Sequence, residues 1–223
     1  MTSQRRGMTT PNKIALGFLL LSVFALVGFV VVNNQNNATE QESLATTSQV
    51  IRENSHRIPS TGDEKAVLVE FLDFECESCA AAYPLVEDLR EEYSDELTFV
   101  SRYFPLPGHP NSMTAAIAVE AAAQQGDFEA MYQRMFETQE QWSHSDESQA
   151  DTFRGYAEEL GLDMEAYDRA VEDPATEQRV MLDKNDGTGL GVSGTPTFFL
   201  DGQQIQPTTE EEFRQLIEDA IDQ

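Results

Sequence analysis

The chain holds two cysteines, Cys76 and Cys79, three positions apart, directly after an apolar run and at the head of a helical pattern. A bridge closing so short a loop removes little entropy from the unfolded chain, so this pair is no structural staple. With 223 residues the chain can bury a sizeable core without one. At a helix start, by contrast, a thiolate gains from free backbone N–H groups and the helix dipole. This reading makes Cys76 the exposed nucleophile and Cys79, one turn further in, the thiol that closes or resolves a disulfide with it.

The surrounding pattern sets the fold class. Ala66–Leu72 (AVLVEFL) is nearly all apolar, as a buried central strand is. Leu85, Val86 and Leu89 follow at helical spacing, and Leu97–Phe104 reads as a second strand. Strand, helix and strand in this order imply a parallel βαβ unit and an α/β fold. After the breaker Pro105–Pro110, residues 112–187 read as a helical insertion with boundaries near Gly126, Ser148, Gly161 and Asp173-Pro174. Its Phe128, Met131, Met135, Phe136 and Trp142 recur at helical spacing and are expected in the core, with part of that face as an alternative border to a substrate groove. Thr197–Leu200, the turn Asp201-Gly202 and Gln203–Gln206 read as a hairpin. A final helix from Thr209, with Glu212 placed for a capping box, puts Phe213, Leu216, Ile217 and Ala220 on one face.

Ahead of this body, residues 14–32 form an uncharged apolar run of 19, about 28 Å long as a helix and close to a bilayer's hydrocarbon thickness. Arg5, Arg6 and Lys13 precede it and the next basic residue is Arg52. The positive-inside rule therefore expects residues 1–13 in the cytoplasm, a single-pass anchor at 14–32 and the remainder extracytoplasmic. A cleaved signal peptide is the competing reading, although the run is longer than the usual signal core. Residues 33–61 are rich in Asn, Gln, Thr, Ser and Glu, and are expected to be a flexible linker before a globular domain over 62–223.

With 40 acidic against 14 basic residues, a formal net charge of -26 makes nucleic-acid backbones poor partners. His56, His109 and His144 are scattered through expected loops rather than set at zinc-ligand spacing, so no metal site is expected.

Three segments together resemble the DsbA-like branch of the thioredoxin superfamily, in order and spacing over residues 64–222. EFLDFECESCAAAYP (70–84) is similar to that family's strand and active-site helix, RYFPLPGHPNS (102–112) to the exit from its second strand, and GVSGTPTFFLDG (191–202) to its cis-proline hairpin. The resemblance implies a thioredoxin-like fold with a helical insertion and a redox pair at Cys76 and Cys79. It implies that Pro196 is cis and faces the pair, with the backbone of Thr195 pairing with a substrate strand; an ordinary trans loop proline is the alternative. Glu70 then corresponds to the buried acid beneath the disulfide, relaying the proton of Cys79, where an edge-exposed glutamate is the alternative. Pro84 matches the kink of the active-site helix.

Glu77 and Ser78 depart from the His-containing dipeptides of strongly oxidising relatives. With Asp73, Glu75 and Glu77 around the nucleophile, the thiolate of Cys76 is expected to be disfavoured and the protein to be a milder oxidant. The implied activity is an extracytoplasmic thiol-disulfide oxidoreductase that introduces disulfides into exported proteins and needs no bound cofactor. Its implied partner is a quinone-linked membrane oxidase that reoxidises it. A thiol reductase and a non-catalytic, tethered peptide-binding module are the other readings.

Overall fold

The computed structural model describes residues 48–223; the expected anchor at 14–32 and the linker up to residue 47 lie outside the described residues. Among the described residues a sheet of five strands runs in the order β1-β3-β2-β4-β5. These strands are β1 (His56–Ile58), β2 (Ala66–Leu72), β3 (Leu97–Tyr103), β4 (Thr197–Leu200) and β5 (Gln203–Ile205). β2 and β3 are parallel, while β1 pairs with β3, β4 with β2 and β5 with β4, all antiparallel. The helix α1 (Glu77–Glu92) joins β2 to β3 with Pro84 inside it, which is the βαβ unit expected from the apolar pattern.

Alternation along β2 sends side chains to two different cores. Leu68 and Leu72 join a large cluster with Val86 and Leu89 of α1, and Val69 and Phe71 join a smaller one with Val100, Phe104, Val192 and Phe199. By the same alternation Glu70 shares the face of Leu68 and Leu72, the one covered by α1.

The helical insertion comprises α2 (Ser112–Ala123), α3 (Phe128–Glu137), a short 3-10 turn at Gln139–Gln141, α4 (Ala150–Glu159), α5 (Met164–Glu172) and α6 (Pro174–Gly189). Phe128, Met131, Met135, Phe136 and Trp142 are all buried in its core. α6 lies on the opposite face of the sheet. A Cβ on its Gly187 would stand 2.7 Å from Phe104 Cδ2 and 3.0 Å from Phe71 Cδ1, so this helix meets the sheet with only a hydrogen at the contact. The β4–β5 hairpin turns through Asp201 (φ 48°) and Gly202 (φ 80°), the positive angles expected of that dipeptide. In the last helix, α7 (Glu210–Ile221), Thr209 Oγ1 accepts from the Glu212 N–H as a capping box requires. Glu212, however, reaches back one residue further than expected, to the Thr208 N–H at 2.7 Å.

The structure corrects the expected end of the linker at Thr61, because the chain is already packed from Gln49. Val50 and Ile51 lie against the smaller core, and β1 extends the sheet beyond β3. Arg102, with no exposed side-chain surface, donates to the carbonyl oxygens of Gln49 at 3.1 Å and Val50 at 2.6 Å. The same guanidinium lies 2.8 Å from Asp183 and 2.6 Å from Asp186, and Asp186 also pairs with Arg52. Polar composition made this stretch read as a linker; a few apolar residues and one arginine that pair only in three dimensions hold it to the fold.

Candidate redox site

The site forms where β2 gives way to α1. Cys76 is the N-cap residue of that helix, in extended conformation, with its N–H bonded to the Asp73 carbonyl at 3.1 Å. Its carbonyl accepts the first helical bond, from Ala80 at 3.1 Å. Ser78 and Cys79 therefore present N–H groups of the first turn to the Cys76 sulfur. The cysteines are unbridged in this structure. Cys76 is 6% exposed and Cys79 is fully enclosed, so Cys76 is the accessible member only relative to its partner.

Opposite them, the Thr195-Pro196 peptide bond is cis. The Cys76 thiol donates to the Thr195 carbonyl oxygen at 3.4 Å. Thr195 Oγ1 is buried without a hydrogen-bond partner.

The two sulfurs titrate in opposite directions. A hydrogen bond from Cys79, outweighing the effect of burial, brings Cys76 down to about 5, helped by the Thr195 side chain and the N–H groups of Cys79 and Ser78. Burial pushes Cys79 well above the ordinary thiol range, reinforced by its bond to Cys76 and the charge of Glu70. Glu70 is 2% exposed, beneath the pair, and not on an edge. Burial raises it to about 8, with the charges of Glu87 and Cys76 adding to the effect.

The expectation that nearby carboxylates disfavour the Cys76 thiolate is thus overturned. The carboxylates are buried or paired elsewhere. Asp73 accepts from the N–H groups of Glu75 at 2.9 Å and Leu106 at 3.0 Å, and lies 2.6 Å from His109 Nδ1. Glu75 accepts from the N–H groups of Asn111 at 2.6 Å and His144 at 3.2 Å, and Glu77 pairs with the His144 ring at 3.0 Å.

Gln139 emerges here without any signal in its local pattern, and His109 in a place other than a metal site. Gln139, at the start of the 3-10 turn, donates through Nε2 to the carbonyls of Phe74 and Cys76, both at 2.9 Å, and so ties the insertion to the redox loop. His109 lies in the segment that leaves β3, and nothing in its spacing pointed to Asp73.

Clefts flank the head of α1 on both sides. One of about 490 Å³ is lined by Leu85, Pro196, Phe198, Ile205 and Phe213. The other, of about 590 Å³, brings Glu77 against Phe136, Gln139, Glu140 and His144, so the insertion does border a groove beside the nucleophile.

Comparison with known proteins fits this geometry. The chain is 35% identical over 200 residues to a Na(+)/H(+) antiporter NhaA of Herminiimonas arsenicoxydans, with 87% of this chain but 31% of that protein covered. It therefore spans about a third of such relatives, and among the described residues no helix is long and apolar enough to cross a membrane. A thioredoxin-like oxidoreductase from Silicibacter pomeroyi superposes with a TM-score of 0.62 at 26% identity, covering 77% of this chain and 92% of that one. Alpha-DsbA1 of Wolbachia pipientis superposes at 0.67 with 17% identity, over 78% and 94%. A family model described as thioredoxin matches residues 54–219, from the strap before β1 to the last helix. The chain belongs to the thioredoxin family and has a DsbA-like fold.

Proposed function

We propose that this protein is an extracytoplasmic thiol-disulfide oxidoreductase that introduces disulfides into exported proteins. The observation that carries the reading is the divided titration of one C-x-x-C pair beside cis-Pro196: Cys76 lowered to about 5 and Cys79 raised. A stable Cys76 thiolate stabilises the dithiol form and makes the disulfide the more oxidising.

In the reaction, a substrate thiolate attacks Cys76 Sγ of the disulfide. The Cys76–Cys79 bond breaks, a mixed disulfide forms at Cys76, and Cys79 leaves with the electron pair. Glu70, protonated at neutral pH by its burial, is the acid beneath Cys79 that supplies its proton. A second substrate thiolate then attacks the substrate sulfur of the mixed disulfide, and Cys76 leaves as a thiolate. The substrate has lost two electrons and the pair has gained them.

The backbone of Thr195, a half-buried residue beside the cis bond, is suited to pairing with an extended substrate segment. Glu77 and Ser78 complete the turn between the sulfurs. The apolar run at 14–32 with its preceding positive charges supports a single-pass anchor with the catalytic domain outside. A quinone-linked membrane oxidase is the reoxidising partner this reading requires. That the homologous module forms part of chains named as membrane antiporters is in keeping with a redox domain held at a membrane.

The test is the reduction potential of the pair, equilibrated against defined glutathione ratios. A value above roughly -200 mV supports the disulfide donor; one near -270 mV would favour a thiol reductase instead. A pair that never cycles would leave a peptide-binding module.

A further inference from the structure

The redox loop carries three carboxylates, Asp73, Glu75 and Glu77, and no lysine or arginine. A thiolate at Cys76 is a fourth negative charge in the same turn, yet the thiolate is favoured. Part of the reason is the set of hydrogen-bond donors around sulfur, but these do not touch the carboxylates, whose own partners must offset their charge.

Asp73 is where a positive charge enters. Its side chain has no exposed surface, and its backbone carbonyl holds the Cys76 N–H at 3.1 Å. Its carboxylate takes the N–H groups of Glu75 and Leu106 and, at 2.6 Å, the ring of His109. Because a carboxylate only accepts, Nδ1 of His109 carries the proton of that bond. The ring is 21% exposed and is brought to Asp73 from the loop between β3 and α2. The charged groups acting on it, Asp73, Glu75 and Cys76, all belong to the redox loop. The second histidine at the site, His144, pairs with Glu77 where both side chains are more than half exposed, a pairing of little strength.

We propose that His109, clamped by the buried Asp73, is the electrostatic positioning residue of this redox centre: its imidazolium offsets the carboxylates of the loop and stabilises the Cys76 thiolate. This rests on the redox reading above. It places the histidine that the Glu77-Ser78 dipeptide lacks on a different loop, 33 residues after Cys76 in the sequence. The raised titration of His109, in which the bond and charge of Asp73, Cys76 and Glu75 outweigh burial, is in the same direction. In the last step of the reaction Cys76 departs as an anion, and a positive charge held on Asp73, whose carbonyl binds the Cys76 N–H, favours that departure.

The experiment uses reciprocity: if His109 stabilises the thiolate, the thiolate must stabilise the imidazolium equally. The His109 ring resonance is titrated by NMR in the unmodified protein, once as disulfide and once as dithiol. The expected midpoint is higher in the dithiol form by about 0.5 pH unit or more. In His109→Gln, whose amide can still donate to Asp73, the ultraviolet absorbance of the Cys76 thiolate should titrate at a midpoint higher by a similar amount. Equal His109 midpoints in the two forms, in a pair that cycles normally, would overturn the proposal and leave the redox function standing. An unchanged thiolate midpoint in folded His109→Gln would overturn it equally. If that variant fails to fold, the titration of the unmodified protein decides alone. Should the pair not cycle between the two forms, the redox reading fails and this proposal with it.

Discussion

Cys76 Sγ lies 3.4 Å from the carbonyl oxygen of Thr195, and the hydroxyl of that same threonine is buried with no hydrogen-bond partner. A buried hydroxyl left unpaired is costly, and ionisation of the neighbouring sulfur supplies an acceptor for it. Thr195→Val keeps the shape and removes the donor. The Cys76 midpoint, about 5 in the unmodified protein, should rise in this variant, and titration of thiolate absorbance measures it. A midpoint that stays in place would remove Thr195 from the thiolate's support.

The unequal burial of the two sulfurs predicts which one meets substrate. Cys79→Ser should accumulate a mixed disulfide between Cys76 and a thiol substrate, visible as a mass increase that reductant reverses. Cys76→Ser should trap little, since Cys79 is fully enclosed and holds its proton. In the dithiol protein, alkylation of Cys76 should reach half its maximal rate near pH 5.

Glu70 sets a pH dependence whose sign follows from its raised value. In the unfolded chain a glutamate titrates near 4.5, whereas in the folded protein Glu70 holds its proton to about 8. Between those values the folded state binds more protons than the unfolded one, so this residue lowers stability progressively as pH rises from about 4.5 to about 8, then no further. Glu70→Gln removes the effect. Its stability relative to the unmodified protein, from urea denaturation at a series of pH values, should grow across that window. Release of Cys79 during mixed-disulfide formation should meanwhile slow by about 100-fold at neutral pH, because the acid is gone. A stability difference flat with pH would show that Glu70 is not held protonated.

Gly187 has no room for a side chain. Gly187→Ala would press a methyl group against the rings of Phe104 and Phe71, costing about 1–3 kcal/mol despite alanine's better helix propensity. A lowered denaturation midpoint with an unchanged Cys76 titration is expected, since α6 lies across the sheet from the thiols.

Arg102 is the shared partner of Asp183, Asp186 and the Gln49–Val50 backbone. Replacing it by Met takes one guanidinium from two buried carboxylates, leaving Asp183 with Arg179 and Asp186 with Arg52, and about 1.5–3 kcal/mol of stability should be lost. Limited proteolysis should then cut first near Val50, where the strap has lost its hold. Resistance equal to that of the unmodified protein would show that apolar packing by Val50 and Ile51 suffices.

Local pattern alone determined a good deal of this protein. Short apolar runs of strand length, a helical pattern after Cys79 and the Asp201-Gly202 dipeptide are statements about backbone periodicity and turn angles. They placed β2, α1, β3 and the β4–β5 hairpin almost to the residue. The two cysteines three apart likewise had to lie together at the head of α1, because the reach of one helical turn is a local property. Glu70 stood out because a charge in an apolar strand is costly unless buried for a reason. What the sequence alone could not decide were the quantities set by residues that are distant in the chain. The titration of Cys76 depends on Thr195, 119 positions away, and the placement of Asp73 depends on His109 and Leu106 beyond β3. Counting charges near Cys76 in the chain gave the wrong sign for its thiolate, since charge in the chain says nothing of which carboxylate is paired, buried or turned aside. The strap at Gln49–Ile58 was missed for the same reason. Its hold comes from Arg102 and Asp186, and only the folding of β3 against α6 brings those two together.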